Sequence, residues 1–310
     1  MQKPLYDLII IGASAVGTGA GIYAARRKLN FFIISENIGG EVASSGEIGN
    51  WPGIIETNGI ELADQFKKHL DSYGVEIKEG WRVEKIEPIK NYHIVHAKRG
   101  NEIAQFETKT VIVGSGIHPR HLGVPGEEEH YGKGITYCTV CDGPLYKNKT
   151  TVTIGGGNSA LESALMLVDI AKKVYVLNLN AAFRGEQILI DKLTQKDNVE
   201  IIFEAKTKEI VGEGLVSGVK YDDKNGQEHM LDVQGVMIHI GMVPNSDLVD
   251  VKKNDFKEII VDAKCATSVP GIFAAGDVTN IPYKQIAIAA GQGVTAALAA
   301  IEYINRWSAV

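Results

Sequence analysis

The stretch YDLIIIGASAVG (6–17) decides the fold. A β-branched apolar run ends at Gly12, small residues stand at Ser14 and Gly17, and a helical pattern continues to Ala25. Strand, tight glycine turn and helix in that order open a βαβ unit. NFFIISE (30–36) supplies its second strand. Segment 8–25 is nearly uncharged and follows Lys3, which gives it some likeness to a signal peptide or membrane anchor. Its four glycines, Ser14, Thr18 and the adjoining Asp7 favour the turn instead. No other run reads as long and apolar enough to span a bilayer.

The same design returns in TVTIGGGNSA (151–160), followed by KKVYVLN (172–178). Two βαβ units imply an α/β fold with two parallel sheets and helices on both faces. Alternating runs after each unit read as antiparallel meanders: WRVEKIEPI, YHIVHAK and IAQFETK after the first, AKTKEIVG, GVKYDD and QEHMLDV after the second. TVIVGSG (110–116) and GVMIHIG (235–241) read as strands returning to the sheets. The expected layout is nested, with two Rossmann-like domains of three-layer ββα architecture. The first comprises 1–116 and 246–310, and the second, 117–245, is inserted in it.

Composition sets outer limits. The chain has 310 residues, 45% apolar and 23% charged, enough for two domains. A formal charge of −6 argues against nucleic acid or an anionic membrane as the main partner. Three cysteines are too few for a secreted disulfide framework, so a cytoplasmic protein is expected.

A nucleotide pyrophosphate needs free backbone N–H groups and the positive end of a helix, with no side chain in the way. Gly12, Ser14 and Gly17 meet that need imperfectly, since Ser14 stands where glycine is usual; its hydroxyl could bond a phosphate oxygen. The acid expected about 20 residues on, for a ribose, is Glu36 or its neighbour Ser35. Gly155, Gly157 and Ala160 match the pattern in backbone terms.

CTVCD (138–142) holds two of the three cysteines. Such a pair is half of a zinc site, a structural staple or a redox couple. Zinc lacks a second pair of ligands at suitable spacing, so no metal is expected, and a static staple suits the cytosol poorly. Redox chemistry gains from context, because a helix N-terminus stabilises a thiolate. Asp142 can supply or accept the proton that dithiol chemistry requires, and can equally serve as a helix cap. Cys265 reads as a packing residue.

The sequence resembles the low-molecular-weight thioredoxin reductase family of flavoproteins nearly end to end. The matching segments are IIIGASAVG, NWPG (50–53), HLGVPGE (121–127), GKGITYCTVCDG (132–143), TIGGGNSALE (153–162), GMVPNS (241–246), TSVPGIFAAGDV (267–278) and YKQIAIAAGQG (283–293). The resemblance implies FAD, with Gly12, Ser14 and Gly17 at its pyrophosphate. It implies that the loop from Ser35 and Glu36 through Gly39, Gly40 and Glu41 wraps the adenosine and ribityl region. Val83 would touch the adenine side and Asn50 would sit near the isoalloxazine. Gly276 and Asp277 would hold the ribityl or phosphate region. Lys284, Gln285 and Ile286 would set the last helix against the flavin. Cys141 would exchange electrons with the flavin, Cys138 would attack a thioredoxin-like partner's disulfide, and Asp142 would be the acid. A homodimer is also implied.

One departure matters. NADPH-using members carry His-Arg-Arg, then another Arg, after the second glycine turn. Here YVLNLNAAFRG (175–185) puts Asn178, Leu179 and Asn180 in those places and keeps only Arg184. Two lost arginines forfeit roughly 3–6 kcal/mol of phosphate binding, at about 1.5–3 kcal/mol per charge-assisted bond. No acid stands at Asn178 for a ribose diol either. The expected donor is therefore ferredoxin or another low-potential carrier. An NAD(P)H-dependent thioredoxin reductase, a flavin-dependent dithiol oxidase and a flavin-less partner-binding scaffold are the alternatives.

Overall fold

The computed structural model describes residues 4–45 and 47–308. The chain forms two compact units: residues up to 118 with those from 243 onward, and residues 119–242.

In the first unit, β1 (Leu5–Ala13) leads through Ser14 into α1 (Ala15–Arg26) and back to β2 (Phe31–Ile38). Helix α2 (Gly59–Ser72) follows, capped by the Asn58 side chain accepting from the Glu61 N–H. Strand β3 (Ile77–Glu79) joins the sheet edge, and β4 (Arg82–Pro88), β5 (His93–Arg99) and β6 (Glu102–Val113) form the meander. The sheet order is β3-β2-β1-β6-β5-β4. Strand β6 is one continuous element. Its first half pairs antiparallel with β5, while it also pairs parallel with β1. The two runs IAQFETK and TVIVGSG are thus one strand, and the first sheet is mixed rather than parallel.

Alternation along β1 separates two layers. Leu8 and Ile10 pack on α1, α2 and the C-terminal helix. Ile9 and Ile11 face Val95, Ala97, Val249 and Ile259, and no α-helical residue joins that cluster among the described residues. Helices therefore cover one face only, which corrects the expectation of helices on both.

In the second unit, β7 (Ile135–Thr136) precedes the short α3 (Thr139–Asp142). Then come β8 (Thr150–Ile154), α4 (Asn158–Val168), β9 (Lys173–Asn178), α5 (Gln187–Thr194) and β10 (Val199–Phe203). A separate antiparallel sheet of β11 (Lys206–Glu213), β12 (Leu215–Asp222) and β13 (Glu228–Asp232) precedes β14 (Gly235–Ile238). The main sheet, in order β7-β14-β8-β9-β10, is parallel throughout.

The chain returns to the first unit through β15 (Ile272–Ala274), parallel to β6, and ends on α6 (Ile286–Arg306). By length and composition α6 could cross a membrane, contrary to the sequence reading. Its alanines instead pack into the first core. A Cβ on Gly19 would lie 2.4 Å from the Ala290 carbonyl oxygen, and one on Gly293 would lie 2.3 Å from that of Val16. Glycines at the crossing let α1 and α6 touch backbone to backbone.

His93, on β5, is 3% exposed and its Nδ1 has no partner. Burial, opposed by a hydrogen bond to the Pro270 carbonyl, holds its pKa down to about 4 from 6.5. The unfolded chain protonates this imidazole near 6.5 and the folded chain resists until about 4. The stability it supports is complete above pH 6.5 and is lost as pH falls from 6.5 to 4, by on the order of 3 kcal/mol. Urea midpoints at pH 7 and pH 4.5 should differ less for His93→Gln than for the wild type; equal differences would refute this assignment.

Candidate functional site

In the first unit a cleft of about 1170 Å³ opens along the C-terminal ends of β1 and β2. Its floor is the first glycine turn. Gly12 has φ +102°, and a Cβ there would stand 2.2 Å from the Gly114 carbonyl oxygen. A Cβ on Gly17 would stand 2.1 Å from the Gly12 carbonyl oxygen. Both positions therefore require glycine. Ala15 and Val16, in the first turn of α1, line the cleft, so N–H groups without an intrahelical acceptor face it.

Ser14 lines the cleft, but its hydroxyl donates to the Gly39 carbonyl at 2.6 Å. That proton is engaged, which corrects the idea that the hydroxyl is free to donate to a phosphate. The bond ties the glycine turn to the next loop, where Gly39 (φ +89°) and Gly40 (φ +50°) turn the chain. Ser35, Glu36, Gly40 and Glu41 line the cleft; Gly39 is not among the lining residues. The Ser35 hydroxyl donates to the Asn37 carbonyl. Val83 closes one end beside Trp81, on which the Arg99 guanidinium stacks at 5.0 Å.

At the other end stand Asp277, Lys284 and Ile286. Gly276 (φ +74°) sets the turn before Asp277 and donates its N–H to the Gln292 side chain. Lys284 donates to the Thr279 carbonyl at 2.5 Å and pairs with Glu258 at 2.8 Å. Asn50 and Gln285 are not among the lining residues but bond each other, Nδ2 to Oε1, at 3.2 Å. Burial raises the Asp277 pKa, with Lys284 opposing. Burial also raises that of Glu41; His118 opposes and Asp277 adds.

The sequence reading missed His118 and Asn245. Both line the cleft, and His118 Nδ1 donates to Asn245 Oδ1 at 2.5 Å. They lie 127 positions apart, and only the nested chain path hinted at the meeting.

The cleft suits a dinucleotide: a positive helix end at its middle, Trp81 and Val83 at one end, and desolvated carboxyls at the other. A Cβ on the lining Gly116 would meet no protein atom within 4 Å, so glycine keeps the space open.

The second unit carries the cysteine pair. Cys138 is disulfide-bonded. Cys141 lies in α3, and its side chain falls outside the described residues. Thr136 Oγ1 donates to Asp142 Oδ2 at 2.5 Å and accepts the Cys138 N–H at 3.0 Å. Asp142 makes no capping bond to the following 3-10 turn (Gly143–Tyr146), so its carboxylate serves the cysteine loop instead. Tyr137 donates to Glu127 at 2.6 Å and accepts from His121 at 2.9 Å. Although burial pushes its pKa up, Glu127 is held below the usual carboxylate range by bonds from Tyr137 and the Leu122 and Gly123 N–H groups. Cys265 is free and 3% exposed, and burial raises its pKa to about 11. Among the described residues no cluster could hold a metal.

At the second glycine turn, Asn178 is 1% exposed and both its side-chain oxygen and its nitrogen are hydrogen-bonded. It donates to the Ala182 carbonyl and accepts from the Asn180 N–H. A Cβ on Gly156 would lie 2.5 Å from its Oδ1. The Arg184 N–H donates to the Gly156 carbonyl, and its guanidinium reaches Asn180 at 3.3 Å. Asn158 bonds Glu186 in both directions. Loop 182–186 is thus stitched to the turn.

Residues 6–293 match the family model for pyridine nucleotide-disulphide oxidoreductases. The chain is 38% identical, over 98% of its length, to a component of the alkyl hydroperoxide reductase of Escherichia coli, and spans 59% of that protein. Among solved structures it resembles a Lactococcus lactis thioredoxin reductase, with TM-score 0.85, 31% identity and coverage of 97% and 99% of the two chains. It also resembles a ferredoxin-flavin thioredoxin reductase from Clostridium acetobutylicum, with TM-score 0.54, 28% identity and coverage of 98% and 100%. The turn, the cleft and the paired cysteines agree with these likenesses: the chain belongs to the pyridine nucleotide-disulphide oxidoreductase family, among the low-molecular-weight thioredoxin reductases, and FAD is its cofactor.

Proposed function

We propose that this flavoprotein reduces the disulfide of a thioredoxin-like protein, drawing electrons from ferredoxin or another low-potential carrier and using NADPH poorly. FAD, when bound, supplies the two-electron relay between donor and dithiol. Gly12 and the first turn of α1 would hold its pyrophosphate, with Gly17, Gly39 and Gly276 shaping the turns that permit close approach. Ser35, Glu36 and Val83 would face its adenosine. Gly40, Glu41 and Asp277 would face the ribityl chain, and the raised pKa values of the two carboxyls suit hydrogen bonding to hydroxyls there. Asn50, Lys284, Gln285 and Ile286 would fix the ring end. Ser14 would position loop 39–41 rather than bond phosphate.

Cys141 would take the electron pair from the flavin, and the Cys138 thiolate would attack the partner's disulfide. Asp142, oriented by Thr136, would hold the proton exchanged with the leaving thiol. The inserted unit would be the nicotinamide-binding-like domain, kept to carry the cysteine loop. A cytoplasmic homodimer, with neither nucleic acid nor membrane as partner, completes the proposal.

One observation carries the choice of donor. The end of β9 presents a buried Asn178 and an Arg184 engaged with Asn180, and Arg184 is the one cation in the stretch 178–184. Anaerobic titration of the flavin spectrum tests it. Reduced ferredoxin should bleach the flavin within seconds, with NADPH and NADH far slower; fast bleaching by micromolar NADPH would end the proposal. The likeness to the alkyl hydroperoxide reductase component supports a second reading of the acceptor, a disulfide belonging to a peroxide-reducing system. Comparing rates with a thioredoxin and with such a protein decides between them.

A further inference from the structure

The residue after Cys138 is a buried hydroxyl inside a polar cluster. Thr139 is 3% exposed and Ser163, on α4, is 4% exposed. Their oxygens lie 2.5 Å apart, and Thr139 Oγ1 lies 2.9 Å from His239 Nε2. Ser163 also reaches Thr153 of β8 at 3.5 Å. The groups come from four elements: the cysteine loop, α4, β8 and the segment just after β14. Burying such groups is costly unless each finds a partner. Here they do, in either of two proton arrangements. Ser163 donates to Thr139, which donates to His239, or His239 donates to Thr139, which donates to Ser163.

The cluster sits where it can govern disulfide chemistry. Thr139 lies between the two cysteines of the loop, so whatever holds it in place constrains how easily a bond from Cys138 opens. Thr136 already anchors the Cys138 N–H on the other side. The His239 backbone is held too, since its N–H donates to the Ile154 carbonyl at 2.8 Å. The latch therefore joins the loop to the rigid parallel sheet.

We propose that Ser163 and His239 are positioning residues which, through the Thr139 hydroxyl, hold the Cys138 loop in its disulfide geometry and so set the reduction equilibrium of the pair. This rests on Cys138 and Cys141 being the redox couple. The latch is intact with Cys138 disulfide-bonded, and on this proposal it weakens once the bond opens. Removing it favours the dithiol.

The test equilibrates the FAD-loaded full-length protein anaerobically with dithiothreitol and its cyclic disulfide, then counts thiols by alkylation and mass. In that reaction the protein S–S bond breaks and two thiols form. The reagent gives up two electrons and two protons and closes its own ring. Thr139→Val, which keeps shape and removes the hydroxyl, should shift the equilibrium about tenfold toward dithiol, equivalent to about 30 mV for a two-electron couple. His239→Leu should shift it by a similar factor, and the double variant by no more than either alone, because all remove one latch. Thr139→Ser and His239→Gln, which restore hydrogen bonding, should lie within about twofold of the wild type. Unchanged equilibria in Thr139→Val and His239→Leu, or a Thr139→Ser shift as large as that of Thr139→Val, would overturn the proposal. The measurement needs neither donor nor protein acceptor, so it fails separately from the reductase reading, which fails if Cys138→Ser retains turnover.

Discussion

Cys138→Ser should lower turnover with a thioredoxin-type disulfide by at least about a thousandfold while leaving the flavin bound. A hydroxyl at this position cannot exchange with a disulfide at neutral pH, because the attacking species is a thiolate. Outside the loop no cysteine can substitute. The remaining cysteine outside the loop, Cys265, is buried in the first unit's core, and burial raises its pKa to about 11. The cleft proposed for FAD lies wholly in the first unit, so its contents should not respond. Steady-state assays with saturating electron donor, paired with the flavin absorbance of each preparation, check both halves. Residual turnover above about 1% of wild type would mean that electrons reach the acceptor by another route.

The double substitution Leu179→Arg with Asn180→Arg should create NADPH use. Leu179 is 66% exposed at the end of β9 and Asn180 is exposed beside it, so neither long side chain needs to displace core. Arg184 already stands on the same loop. Each new guanidinium that reaches a 2′-phosphate adds about 1.5–3 kcal/mol. Together they raise apparent NADPH affinity by roughly two to four decades at most, each decade being about 1.4 kcal/mol. Screening at this exposed site favours the lower end. NADH, without the phosphate, should gain little. The rate of flavin reduction at fixed NADPH, measured for wild type and variant, checks this; equal rates would place the obstacle elsewhere, for example in loop 182–186 lying on the glycine turn.

The sequence exposed the backbone-driven parts of the fold most clearly. Gly12 and Gly17 announce themselves because their Cβ atoms would collide with carbonyl oxygens, and only glycine solves that. The nested layout was legible from two strand–turn–helix segments. The structure puts the crossings after 118 and before 243, against the expected 116 and 246. Period-2 alternation found the meander strands but could not reveal that Glu102–Val113 runs through as one element. Nor could it place the helices on a single face, since that depends on which strands curl over the other.

Side-chain clusters were mostly illegible. His118 and Asn245, or Thr139 and His239, meet across a hundred residues or more with no shared motif. Ser14 shows the limit from the other side. The sequence marked its position, but the destination of its hydroxyl, the Gly39 carbonyl, depends on the loop after β2. Asn178 stood out as a missing cation, whereas its burial under Gly156 needed coordinates.

Electron counting tests the link between flavin and cysteines most directly. Anaerobic dithionite titration of the purified protein should consume about four electrons per FAD, two for the flavin and two for the disulfide. The Cys138→Ser variant should consume about two. A wild-type protein that takes up only two, with its thiols still closed to alkylation after the flavin has bleached, would contradict electron transfer from FAD to the cysteine pair.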